Sequence, residues 1–195
     1  CRPEIALSTI STVEKTWTLT NADGELTVKT GVAGRAARMG HRLTLRMDSW
    51  RIAVTWKGKT PVAAELVVDV DSLQVQHGEG GVTPLSGPEK GVARGNGLKT
   101  LDSKRFPTIE YRPDSIESTA GGYRLSGPLT IHGVSKPTTV DVTVSPDGDT
   151  WQLTCSAEVR QTDFKIKPFS MMMGTMKVDD VVTVALDARA TAPDA

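Results

Sequence analysis

The chain of 195 residues carries 23 Lys plus Arg against 23 Asp plus Glu, so no net field draws it towards nucleic acid, an anionic membrane or an acidic partner. Apolar residues make up 38%, ordinary for a chain that buries one core, and no run approaches the roughly 18 apolar residues of a membrane-spanning helix. Two cysteines, Cys1 and Cys155, are too few for a disulfide framework or a CxxC metal site, and Cys155 reads as a buried free thiol.

In chain order, residues 1–15 form an N-terminal extension, 16–190 one β-domain and 191–195 a tail. The sequence opens on Cys1, and a basic-then-apolar leader ahead of it is not expected. The expected compartment is the cytoplasm, with a periplasmic, secreted or Cys1 lipid-anchored chain as the alternative. Asn21-Ala-Asp-Gly24 supplies a turn, and the Ala- and Arg-rich stretch 32–39 suggests a short helix. Residues 42–48 alternate strictly, with Leu43, Leu45 and Met47 on one face and Arg42, Thr44, Arg46 and Asp48 on the other, which predicts a half-buried strand. Residues 50–56 repeat the pattern with Trp50, Ile52, Val54 and Trp56 before a Gly- and Pro-containing turn at 57–61. A strand over 62–71 follows. The stretch 78–97 holds seven glycines and two prolines, which predicts a long loop. Further strands are expected at 108–111, 123–132, 137–144, 150–159 and 181–188. Short turns between them imply antiparallel neighbours closing into a barrel or packing as two sheets.

Catalytic and metal chemistry find little footing. His41, His77 and His132 form no HxH, HxxxH or Cys-containing pattern, so no metal site is expected. His41, at the start of a strand, reads as an imidazole bonded to a nearby loop backbone, with ligand contact as the alternative. GxSxG, GxxxxGK[ST] and GxGxxG are all missing from the chain. Asp69 and Asp71 read as a solvated pair, and arginines 35, 38, 42, 46 and 51 as an outer face; no catalytic residue, enzyme activity or nucleic-acid binding is expected. Phe169-Ser-Met-Met-Met-Gly-Thr-Met176 gathers adaptable thioether side chains that suit a core gap or the wall of a lipid-holding cavity.

Four ordered stretches carry a resemblance. Gly127-Pro-Leu-Thr-Ile-His-Gly-Val-Ser-Lys-Pro137 resembles the G-x-LT-x-x-G-x-(T/S)-(K/R)-P signature of the YceI-like family, the lipocalin-like polyisoprenoid-binding proteins of bacteria. Gly40-His-Arg-Leu-Thr-Leu45, Leu101-Asp-Ser-Lys-Arg-Phe-Pro-Thr-Ile-Glu-Tyr111 and Val159-Arg-Gln-Thr-Asp-Phe-Lys-Ile166 are similar to further elements of that family, with Arg42 and Lys165 departing from its pattern. The resemblance implies an all-β fold, an extended antiparallel lipocalin-like β-barrel of about eight strands with a short helix or loop cap. It implies binding, sequestration or transport of a long polyisoprenoid, an isoprenoid quinone or polyprenyl lipid, in the lumen, with no reaction and no other cofactor. Taking the more apolar strand faces as inward, the expected lining is His41, Leu43, Leu45, Trp50, Ile52 and Trp56 from the first half. From the second half come Phe106, Leu129, Ile131, Phe164, Phe169, Met171 and Met173. The alternative is a structural or interaction barrel filled by its own side chains. Strands 62–70 and 181–186 are apolar on both faces, which allows a homodimer.

Overall fold

A computed structural model describes residues 14–191. Cys1 and most of the extension and tail lie outside the described residues; Glu14 and Lys15 already belong to the first strand.

The elements run β1 Glu14–Thr20, β2 Gly24–Ala33, β3 His41–Met47, β4 Trp50–Lys57, β5 Thr60–Asp69 and β6 Leu73–Gly80, then helix α1 Gly87–Thr100. The second half runs β7 Thr108–Tyr111, β8 Ser115–Thr119, β9 Gly122–Ile131, β10 Val134–Asp147, β11 Thr150–Arg160, β12 Ser170–Met171 and β13 Met176–Thr191. Among the described residues all strands join one antiparallel sheet in the order β1-β4-β5-β7-β9-β10-β11-β13-β2-β3-β6, with β8 on β9 and β12 on β13. The count exceeds the eight or so expected for a simple barrel partly because one strand is interrupted. Both β7 and β8 pair with β9, at Tyr111↔Leu129 and Ser115↔Ser126, and Pro113 lies in the gap between them. Proline has no N–H to donate to a ladder, so pairing stops there and resumes.

The sheet curls on itself. Trp17 on β1 and Trp151 on β11 stand far apart in strand order, yet their rings are 5.6 Å apart. That contact crosses the interior. Leu19, Leu26, Met47, Trp50, Val68, Leu73, Ala188 and Ala190 form the main core, and Ile131, Phe164 and Ile166 a second one.

The hairpin at the family signature is tighter than the four-residue link left between the expected strands 123–132 and 137–144. Ile131 pairs with Val134, leaving His132 and Gly133 alone in the turn at φ +52° and +72°. Two successive positive φ values match the right-handed twist of the flanking strands. Glycine is needed at the second position for space as well, since a Cβ there would lie 2.6 Å from the Phe106 ring.

Three expectations are corrected. Residues 78–97 are not one loop: β6 runs through Gly80 and α1 begins at Gly87. Glycine-poor composition is not what starts this helix. Ser86 and Glu89 form a reciprocal capping box, Pro88 sits in the first turn, and Lys99 lies in the last. Tertiary bonds then hold it along β6, with Lys90 Nζ donating to the Gln76 carbonyl (2.6 Å) and Arg94 to those of Leu73 (2.7 Å) and Asp71 (2.6 Å). In the stretch 32–39, only Ala37–Met39 make a single 3-10 turn, because Val32 and Ala33 are drawn into pairing with Val178 and Lys177 of β13. The strand expected over 62–71 runs instead over Thr60–Asp69; the register shifts between Thr55 and Trp56, so Pro61 faces inward and Val62 is left 48% exposed.

Cβ atoms added at Gly91 and Gly95 of α1 would meet nothing within 4 Å. Gly91→Ala and Gly95→Ala are therefore expected to stabilise the protein by about 0.5–1 kcal/mol each, read as a rise in thermal midpoint; a fall at both positions would contradict this packing of the helix.

Candidate ligand cavity

The curl leaves an interior cavity of about 260 Å³, walled by side chains from every strand except β6 and β12. The alternation of each strand supplies the wall directly. Ile52, Val54 and Trp56 come from β4, Thr138, Val140, Val142 and Val144 from β10, and Trp151, Leu153, Cys155, Ala157 and Val159 from β11. A volume near 260 Å³ exceeds the ~150 Å³ of an apolar cavity that takes up benzene, and approaches the ~300 Å³ lower bound of small-molecule sites. It is too large to be a packing defect.

The two ends differ in chemistry. At one end Trp56 contacts Trp17 (ring centroids 4.7 Å), Trp151 (5.9 Å) and Tyr123 (6.2 Å). The Trp56 indole N–H is buried with no hydrogen-bond partner among the described residues, and the Tyr123 hydroxyl makes no hydrogen bond there either. Towards the opposite end Ile131 packs with Phe164 and Ile166, three apolar side chains. In between, the Tyr111 hydroxyl donates to the Leu125 carbonyl (2.9 Å), with that of Thr138 3.1 Å away, which ties β7 to β9 and β10 across the wall. Burial, with lesser contributions from Cys155 and Asp114, pushes this phenol up to about 12. The Cys155 thiol is also pushed up, by burial first and the Asp141 charge second, so it is the reverse of an activated nucleophile. Glu65 touches the cavity, but its carboxylate is held by Arg112 (2.8 Å) and Arg51 (3.0 Å).

Of the thirteen residues expected to line the lumen, Ile52, Trp56, Leu129 and Ile131 do so. Leu45 and Trp50 share the inward faces of their strands but pack into the main core, which includes Ala188 and Ala190 of β13. Phe164 belongs to the second core. Leu43 lies beside Gly78 and Leu85, in the region between β6 and the loop before α1. His41 is the loop-bonded imidazole of the plainer reading: its Nε2 lies 2.7 Å from the Thr83 carbonyl. Phe106 stacks on His132 at the hairpin turn, 4.5 Å between centroids, outside the lumen. Phe169 is half-buried on the approach to β12, where its carbonyl accepts from Val178 (2.9 Å). Met171 and Met173 are exposed, because the chain turns outward at Met172 and Met173 with φ of +51° and +58°.

The expected lining included none of the wall contributed by β10 and β11, Trp151 among it, nor Trp17 and Tyr123. Alternation over 137–144 and 150–159 was visible. What it lacked was the register that says which phase faces in.

A family model for the YceI-like domain matches residues 8–190. The chain belongs to the YceI-like family. Among curated relatives, UPF0312 proteins of Pseudomonas putida strains W619 and GB-1 are each 28% identical over 134 residues, covering 64% of this chain and 64% of theirs. Among solved structures, BcnA of Burkholderia cenocepacia superposes with a TM-score of 0.64 at 20% identity, over 86% of this chain and 96% of that one. The YCEI protein of Campylobacter jejuni gives 0.58 at 13%, over 77% and 85%. Likeness at these identities shows a shared curled β fold. None of the described helices is long and apolar enough to cross a membrane.

The raised Cys155 pKa has a defined consequence in a Cys1→Ser background. Alkylation proceeds through the thiolate, so its rate is expected to go on rising with pH beyond 9, the ordinary value of the group, where an unshifted thiol would level off. Bromoalkane labelling followed by mass against pH reads this; levelling at or below pH 9 would show that the thiol does not face an apolar wall.

Proposed function

We propose that this protein binds a long-chain polyisoprenoid, a quinone or polyprenyl lipid, or a similar amphiphile in its lumen, and sequesters or carries it without chemical change. The observation that carries the reading is a cavity of about 260 Å³ walled almost wholly by hydrocarbon side chains in a YceI-like fold. Moving an apolar chain from water into such a wall contributes about 25 cal/mol per Å² of surface removed from water. Affinity should thus climb with tail length and flatten once the cavity is full. A carrier reading also fits the titratable groups facing the lumen, since burial drives both the Cys155 thiol and the Tyr111 phenol away from reactivity at neutral pH. The unpartnered Trp56 N–H and Tyr123 O–H offer donors to an oxygen on the ligand at the aromatic end.

The test begins with lipid extraction and mass spectrometry of protein purified from bacteria, followed by titration with prenyl alcohols and quinones of graded length, read by tryptophan fluorescence. Uptake that rises and then levels with length is expected. Ala157→Phe, which fills the lumen, should remove uptake while the fold persists. Trp56→Phe should weaken oxygen-bearing ligands about three- to tenfold and leave a plain hydrocarbon unaffected. A clean apoprotein that ignores every added amphiphile would sink the reading in favour of a filled structural barrel.

A further inference from the structure

The overall charge balance conceals a segregated end. Segment 34–42 holds Arg35, Arg38 and Arg42 and no acid; segment 165–178 holds Lys165, Lys167 and Lys177 and no acid. Removing these six cations from 23 leaves 17 against 23 acids, so the rest of the chain is strongly anionic. The two segments meet in space. Ala36 N–H donates to the Thr175 carbonyl (2.9 Å), Lys177 pairs with Ala33 in the sheet, and a Cβ added at Gly40 would sit 2.9 Å from the Met176 sulfur.

All six cations are exposed, and none makes an ion pair among the described residues. Asp163, two residues before Lys165, is exposed and makes no ion pair among the described residues, and the other nearby acids are otherwise placed. Asp180 accepts from Thr162 (2.6 Å) and Arg160 (3.3 Å), and Asp179 lies against Gly31. Glu79 pairs in register with Arg42 on the neighbouring strand, without a salt bridge.

Amid these cations stand Met39, Met171, Met172 and Met173, all exposed, Met173 at 105% of its reference area. The sequence offers Met171, Met172 and Met173 as core or lumen lining, and the fold uses them for neither. Successive left-handed residues at 172 and 173 hold the tip outward. Unbranched thioether side chains on a protrusion suit a soft medium that closes around them. A protein partner would instead need about 800 Å² of matched surface on each side, which a tip of four side chains does not present. Cations around an apolar point match a bilayer carrying anionic headgroups, where each Lys or Arg near the surface adds attraction and the apolar side chains reach the acyl boundary.

We propose that this end docks reversibly on an anionic lipid bilayer, with Met171, Met172 and Met173 inserted and Arg35, Arg38, Arg42, Lys165, Lys167 and Lys177 on the headgroups. The proposal stands on the surface alone and needs no ligand in the lumen.

Co-sedimentation of the full chain with vesicles tests it, comparing phosphatidylcholine alone with phosphatidylcholine mixed with phosphatidylglycerol. Binding is expected to the mixed vesicles at low salt, and should fall as salt screens the cations. Arg35→Glu with Arg38→Glu should weaken it at least about tenfold. Met173→Ser, at a side chain fully surrounded by solvent, should leave the fold intact and weaken binding about tenfold. Ala157→Phe should bind vesicles as the parent does, which separates this outcome from that of the carrier reading. No binding to the mixed vesicles, equal binding to both compositions, indifference to the variants, or capture of an acidic protein in place of vesicles would each overturn it.

Discussion

The interior of this protein depends on register. Side chains alternate across a strand with period two, so each strand must hold one phase against its neighbours for Trp56, Leu129, Leu153 and Leu186 to face the same space. A slip of one residue would turn those side chains to water and bring Asp141, Thr154 or Arg189 inside. Short turns pin the phase. His132-Gly133 fixes β9 against β10, and Gly148, at φ +60°, lies in the turn that fixes β10 against β11. Where the phase changes, at the irregularity facing Thr55 and Trp56, it brings Pro61 to the wall in place of Val62.

Curling gives those aligned faces a shared interior, and the side chains set how much of it stays open. Around Trp50, Leu73, Ala188 and Ala190 the inward side chains pack into a core that leaves no space. Further along, smaller residues such as Ala157, Cys155 and Val142 leave the walls apart. The aromatic cluster bridges that space at one end and brings indole and phenol donors to an otherwise hydrocarbon wall. Core stability and cavity thus come from one set of inward positions, divided by side-chain size.

Charge is organised on the outside by the same geometry. Outward positions on the strands pair into cross-strand bridges such as Arg124 with Asp141 (2.8 Å) and Arg51 with Glu65 (3.0 Å). Exposed pairs of this kind contribute little to stability, because water and salt screen them. They cancel charge locally on the flanks, whereas the six cations around the methionine tip make no ion pair among the described residues.

The sequence by itself determined what local pattern can encode. Alternation marked β3, β4, β5, β7, β9, β10, β11 and β13, and the signature from Gly127 to Pro137 with three further stretches pointed to the YceI-like family. His41 as a loop-bonded imidazole was legible from its position at the start of a strand. Tertiary structure alone decided the remainder. The glycine-rich α1 forms because caps and bonds from Lys90 and Arg94 to β6 outweigh its low propensity, and no local window contains those partners. Phe106, Phe164 and the methionines are as apolar as any lining residue, yet one stacks on a turn, one fills a core and the last face water. Hydrophobicity states that a side chain gains by leaving water; which neighbours receive it depends on strand pairings between residues distant in the chain.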